Sequence, residues 1–290
     1  MKIFLLCLLV GLLPFRSFAQ DDATQKYILK GGAEFNTIPI IDPSVADSIG
    51  SSLSIAPYFK LQLHSGIGLK AQAYFLSSGP HPGYFMTVVS PFYSIDNKKI
   101  ALDISYSHFF ISSNKSIEYT PITNEIYASY TAKKSVLSPT GGIDLGFGTD
   151  TTTKTNTTAT DVNIFLGVTH SFDWELNDSS ISINFSPKLL FNIGTDAYFE
   201  FLKSTGFITH NKNFQKVVKN KVHGNGSRRN GTTTSSTSLT LNNMEVNGDL
   251  TIDIGNNFTV EPEASLFIPI GSTSEGLFGY WQLGLSYQFK

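Results

Sequence analysis

The sequence predicts an all-β fold, an antiparallel transmembrane β-barrel of twelve strands with short periplasmic turns and longer extracellular loops. Three observations point there. First, the final segment alternates Leu277, Gly279, Trp281, Leu283, Leu285, Tyr287 and Phe289 with Phe278, Tyr280, Gln282, Gly284, Ser286 and Gln288. One set suits lipid and the other is mostly small or polar, which is the period-two pattern of a strand between a bilayer and a lumen. Second, the chain opens as an exported protein does: Met1 and Lys2, an apolar stretch from Ile3 to Leu13, then Pro14 to Ala19 with small Ser17 and Ala19 before Gln20. Residues 1–19 read as a secretory signal peptide. Third, 15% charged and 13% aromatic residues with 24 glycines give fewer charges and more aromatics than soluble domains carry.

These observations also exclude classes. The only cysteine, Cys7, lies inside the signal core, so the mature chain has no disulfide and no lipid anchor. No later run reaches about 18 apolar residues, so helical spans are excluded and only a barrel can cross a bilayer. The formal net charge of −2 falls to about −4 once Lys2 and Arg16 leave with the signal, too mild for nucleic acid. Residues 20–290 are expected to form one barrel domain without repeats.

Alternation places the strands near 27–36, 52–63, 67–76, 84–94, 99–111, 124–132, 136–148, 161–174, 181–193, 243–254, 258–270 and 277–289. The clearest pair is Ile67, Leu69, Ala71, Ala73 and Phe75 against Gly68, Lys70, Gln72 and Tyr74, and Ile100, Leu102, Ile104 and Tyr106 against Ala101, Asp103 and Ser105. The sixth strand, with Ile126, Ala128 and Tyr130, is the faintest by pattern. Connection lengths support it. The short connections are His64 to Gly66, Ile95 to Lys98, Lys133 to Ser135, Glu175 to Ser180 and Gly255 to Asn257. Longer ones fall between them, at 37–51, 77–83, 112–123, 149–160, 194–242 and 271–276, and the two kinds alternate only if the sixth strand exists. A soluble β-sandwich or lipocalin-like barrel shares the two-residue period, but Gly, Ser, Asn, Asp and Lys facing inward would make a poor dry core. Pro57, Pro91, Pro187 and Pro262 fall inside these strands and predict bulges or rim positions.

With these residues in view, the chain resembles the β-barrels of the Gram-negative outer membrane. The resemblance rests on the signal peptide, the alternating strands and the ending Leu283-Gly284-Leu285-Ser286-Tyr287-Gln288-Phe289, with Lys290 following the aromatic residue. It implies residence in the outer membrane, contact with its lipid and lipopolysaccharide, and recognition of the last strand, ending at Phe289, by the barrel-assembly machinery. It carries no active site.

If apolar side chains face lipid, parity turns a set of ionisable groups into the lumen: Lys30, Glu34, Lys60, Lys70, Asp103, Asp144, Asp161, Asp173, Lys188, Glu245, Asp249, Asp253, Glu261 and Glu263. Acids gather on the tenth and eleventh strands and lysines on the first three, and closure through the twelfth brings these groups to neighbouring sectors. Wet, they would set up a field that biases small polar or charged solutes. Paired with one another, they would fill the barrel and leave no path.

The connection 194–242 is strongly basic, holding Lys203, Lys212, Lys216, Lys219, Lys221, Arg228 and Arg229 against Asp196 and Glu200. Facing outward, it suits lipopolysaccharide phosphates, an anionic surface glycan or a partner protein. Folded inward it would form a partial plug. As a plain solvated loop it would balance an anionic membrane surface. An enzyme is the least expected reading, as a rim-located outer-membrane lipid hydrolase or a protease whose Asp and His converge from separate loops. In Ser107-His108 and His170-Ser171 neighbouring side chains point to opposite faces, and no histidine has a serine two residues away as outer-membrane lipid hydrolases do. No metal-ligand spacing, nucleotide fingerprint or cofactor motif is present. The leading expectation is a passive pore for small polar solutes, and the alternative is a closed barrel acting through its basic loop.

Overall fold

The structure, a computed structural model, describes residues 27–41, 49–78, 82–112, 122–133, 136–150, 157–176, 180–195, 239–270 and 278–289. The expected signal peptide and nearly all of the basic loop lie outside these residues. The strands are β1 (Tyr27–Ile41), β2 (Ile49–Leu63), β3 (Ile67–Leu76), β4 (Gly83–Asp96), β5 (Ile100–Ile111), β6 (Ile122–Ala132) and β7 (Ser138–Asp150). They continue as β8 (Thr157–Thr169), β9 (Phe172–Leu176), β10 (Ile181–Thr195), β11 (Leu239–Ile254), β12 (Phe258–Pro269) and β13 (Phe278–Phe289).

Each strand pairs antiparallel with its neighbours, and the sheet closes on itself. β13 pairs with β1 from Leu29 opposite Phe289 to Asn36 opposite Gln282, while β11 pairs with both β10 and β12. Closure leaves no free edge around the wall, so the backbone groups of the wall bond to one another and not to water. Thirteen strands form twelve staves, because β8 and β9 are one stave interrupted at His170 and Ser171. The register proves their unity: Lys188 of β10 faces Thr169 and Phe185 faces Phe172, three residues on along each chain.

The prolines explain that interruption and three others. Pro187 lies opposite the break, where the His170 amide donates to its carbonyl at 3.2 Å and Pro187 has no N–H to return. Pairing between β2 and β3 lapses between Ile55 and Tyr58, around Pro57. It lapses between Val89 and Phe92 on the β5 side, around Pro91, and between Asp249 and Ile252 opposite Pro262. Each proline keeps its pairing on its other side: Pro57 to Ala33, Pro91 to Leu69, Pro187 to Gly248 and Pro262 to Leu283. The expected bulges are therefore absent at the prolines. Register shifts occur instead at Tyr74/Phe75, Ile122/Asn124 and Asn192/Ile193.

The outer surface carries the apolar parity. Leu61, Leu69, Phe110, Leu166, Trp281 and Tyr287 are all exposed, in rows that alternate with inward polar residues. Among the described residues no helix is long and apolar enough to cross a membrane. Short turns gather at one end, where Gly66 takes a φ of 93°, a left-handed conformation that suits glycine in the tight link between β2 and β3. The longer connections lie at the other end. There β1 and β2 remain paired as far as Ile41 opposite Ile49, within the stretch 37–51 expected to be a connection. Likewise 239–242 belong to β11 and not to the basic connection, and 170–171 fall outside any strand.

Candidate functional site

Inward side chains divide the lumen into two levels. Toward the long-connection end the interior is packed on every stave from β1 to β12. The β2–β5 side is apolar: Ala56, Tyr74, Leu76, Phe85, Met86, Val88 and Phe109 form one cluster, each at most 5% exposed. The register shift at Tyr74/Phe75 lets two consecutive residues, Phe85 and Met86, both turn inward and fill space. Tyr74 and Phe85 meet with ring centroids 5.7 Å apart.

The opposite side of this level is polar. Asn163 of β8 donates to Asn192 of β10 at 3.3 Å, and Asn192 donates to Asn243 at 3.0 Å and to Glu245 at 3.4 Å, both on β11. Ser265 of β12 donates to Glu245 at 3.0 Å, and Asn247 donates to Ser265 at 2.7 Å and to Glu263 at 2.9 Å. This relay laces four staves together, and its asparagines and Glu245 are no more than 3% exposed. Bonds of this kind between buried side chains favour one arrangement of neighbouring strands, although Asn163 Oδ1 and Asn243 Nδ2 stay without a partner among the described residues. Glu125, Asp144 and Asp161 complete the polar side, all three buried.

Below this level two cavities open the interior. The first, about 500 Å³, is walled by β5 to β11 and includes Asp103, Asp144, Lys188, Glu245 and Asp249. The second, about 380 Å³, includes Lys30, Glu34, Tyr58, Lys60, Lys70, Asp103 and Glu261. Asp103 and Tyr127 line both. Lys70 pairs with Glu34 at 2.7 Å, Gln72 donates to the same carboxylate at 2.6 Å, and the Lys70 ammonium stands 4.7 Å from the Tyr58 ring centroid. Lys188 pairs with Asp249 across β10 and β11, and Lys133 with Asp96 at the short-turn mouth.

Of the ionisable groups assigned to the lumen by parity, Asp161, Asp173, Asp253 and Glu263 line neither cavity. Asp253 accepts from Thr259 at 2.7 Å and Glu263 belongs to the asparagine relay. Asp173 accepts from Asn184 at 2.6 Å near the short-turn end. Lys212, Lys216, Lys219, Lys221, Arg228 and Arg229 lie outside the described residues. Reading only charged residues missed two groups that parity also turns inward. These are the asparagines at 163, 192, 243 and 247 and the packed aromatics at 74, 109 and 267. The signal for both was the same alternation.

The Ser-His neighbours do not converge. Ser107 is fully buried and bonds Ser90 at 2.8 Å, whereas His108 faces outward against Asn124 at 2.8 Å with its ring 4.5 Å from that of Phe110. His170 bonds the Val136 carbonyl and packs on Phe172 with centroids 4.4 Å apart. Among the described residues no group of three or more His, Cys, Asp or Glu is placed to hold a metal ion.

No protein-family model matches the chain, and no curated protein sequence matches it. Among solved structures, the NanC porin is similar at 8% identity with a TM-score of 0.42, covering 91% of this chain and 99% of that one. The translocator domain of the autotransporter NalP from Neisseria meningitidis is similar at 10% identity with a TM-score of 0.36, covering 99% and 97%. A BenF-like porin from Pseudomonas fluorescens aligns at 9% identity with a TM-score of 0.27, covering 91% and 98%.

Proposed function

We propose that the chain is an outer-membrane channel for small polar solutes, with a wet lower lumen and passage controlled at the packed level near the long connections. The observation that carries this reading is the pair of cavities with charged walls that share Asp103 and Tyr127. Charges kept out of a dry core lose little hydration, and a lumen needing only to be filled is more cheaply filled by apolar side chains. The packed level sets the condition on transport. Its polar side consists of side chains held by hydrogen bonds, which exchange for water more readily than an apolar contact opens to it.

A second reading draws on the same packed level. If it never opens, the barrel is a closed support and the basic connection binds anionic surface sugars or lipopolysaccharide phosphates. Proteoliposome swelling with polar solutes of increasing size separates the two. The channel reading expects swelling that falls steeply with solute size. Swelling no faster than protein-free liposomes, from folded and inserted barrel, would reject it. In that case, neutralising Lys212, Lys216, Lys219 and Lys221 should weaken binding to lipopolysaccharide.

A further inference from the structure

Six formally charged side chains face the second cavity, Lys30, Lys60 and Lys70 against Glu34, Asp103 and Glu261. Their formal charges cancel, yet only Lys70 and Glu34 are joined. Lys30, Lys60, Asp103 and Glu261 make neither an ion pair nor a side-chain hydrogen bond among the described residues. The cavity therefore keeps two ammoniums and two carboxylates apart.

Position makes the separation purposeful. Lys30 and Lys60 sit directly opposite each other across β1 and β2, a like-charge juxtaposition that costs stability unless an anion shares it. Lys60 projects over the Phe92 ring, 4.8 Å from its centroid, which holds the ammonium toward the cavity. Glu261 lies two staves from Lys30, and the stave between sets Gly284 opposite Glu261, Gln288 opposite Lys30 and Ser286 between them. The missing side chain at 284 leaves room that the Glu261 carboxylate itself takes, its Oε2 3.4 Å from where a Cβ would stand. Asp103 forms the far wall, on β5.

We infer that this cavity is a binding site for a small zwitterion of the amino-acid class. The carboxylate of the solute lies between Lys30 and Lys60, its ammonium points to Glu261 or Asp103, and its stem rests against Tyr58 and Phe92. A solute with one charge satisfies one pole and leaves the other unmet; a zwitterion satisfies both. The cavity of about 380 Å³ falls in the range of small-molecule sites. The inference deepens the channel reading by naming a solute class, and it rests on that reading only for how the solute arrives.

The test is calorimetric titration of the refolded mature chain in detergent with glycine, 4-aminobutyrate and 6-aminohexanoate as zwitterions of increasing span. Propionate and propylammonium serve as single-charge probes. At least one zwitterion should bind about tenfold or more tightly than either single-charge probe. Lys60→Met and Glu261→Gln should each weaken that binding about tenfold, and Lys30→Gln supplies a third variant if either fails to fold. Equal binding of all five probes, no binding, or folded variants that bind as the parent does would overturn the inference. Swelling measured in parallel keeps the two claims apart. Permeation without zwitterion preference removes the site alone, and zwitterion binding without permeation removes the channel alone.

Discussion

Gly167 of β8 sits opposite Leu190 of β10, against the β10 backbone. A Cβ there would lie 1.9 Å from the Leu189 carbonyl oxygen, and a backbone atom in a paired strand cannot move aside. Gly167→Ala should destabilise the barrel by about 1–3 kcal/mol, read as a lower urea midpoint for unfolding. Gly248→Ala is the control, because its Cβ meets only the edge of the Phe185 ring at 3.3 Å. Equal effects at the two sites would contradict this account of the wall. At Glu34, Lys70→Met removes one of two donors from a carboxylate only 8% exposed and should cost about 1–3 kcal/mol by the same assay. Pairing it with Glu34→Gln should recover most of the loss. At this scale the sequence was legible wherever parity decided, as for Lys30, Lys60 and Glu261. It was not legible for partners: that Lys70 takes Glu34 while Lys60 takes none depends on reach across staves, which alternation does not encode.

Among the elements, β3 has the bounds its alternation predicts, 67–76, and the faint sixth strand exists as β6. Both follow from a one-residue rule applied over a long run. The prolines obey a different rule. They were expected to mark bulges or rim positions, but each instead interrupts the ladder on one side over two residue pairs and leaves the register intact. A barrel stave has two neighbours, so the surviving pairing holds the chain in line where a two-stranded ribbon would kink. Pro262→Ala should then restore a donor toward β11. Amide exchange around Leu250 and Thr251 should slow, with stability unchanged or raised by up to about 1 kcal/mol. Faster exchange there would show that the ring, and not the missing donor, sets the gap. The extensions of β1 and β2 to Ile41 and Ile49 were illegible because Pro39 and Pro43 interrupt Thr37 to Ser51 and its Ile38, Ile40 and Ile41 break the two-residue period.

The whole molecule combines a wall apolar on its outer face with an interior of two characters, packed and part apolar near the long connections and open, with charged walls, below. The lower level was foreseeable from inward charges. The packed level was hidden by the assumption that apolar residues face lipid, although Tyr74, Phe109 and Phe267 stand at inward parity, and by a bulge that no alternation rule places. If this level limits passage, thinning it opens the barrel. Phe85→Ala leaves a hole in the apolar cluster, should cost about 3–5 kcal/mol, and should raise conductance severalfold if the barrel still folds. The most direct measurement is single-channel recording of the refolded mature chain in a planar bilayer under a salt gradient, beside the Phe85→Ala and Glu261→Gln variants. The account predicts small discrete steps, larger ones for Phe85→Ala, and an ion selectivity shifted toward anions by Glu261→Gln. An inserted parent that stays silent, with Phe85→Ala silent too, would contradict it.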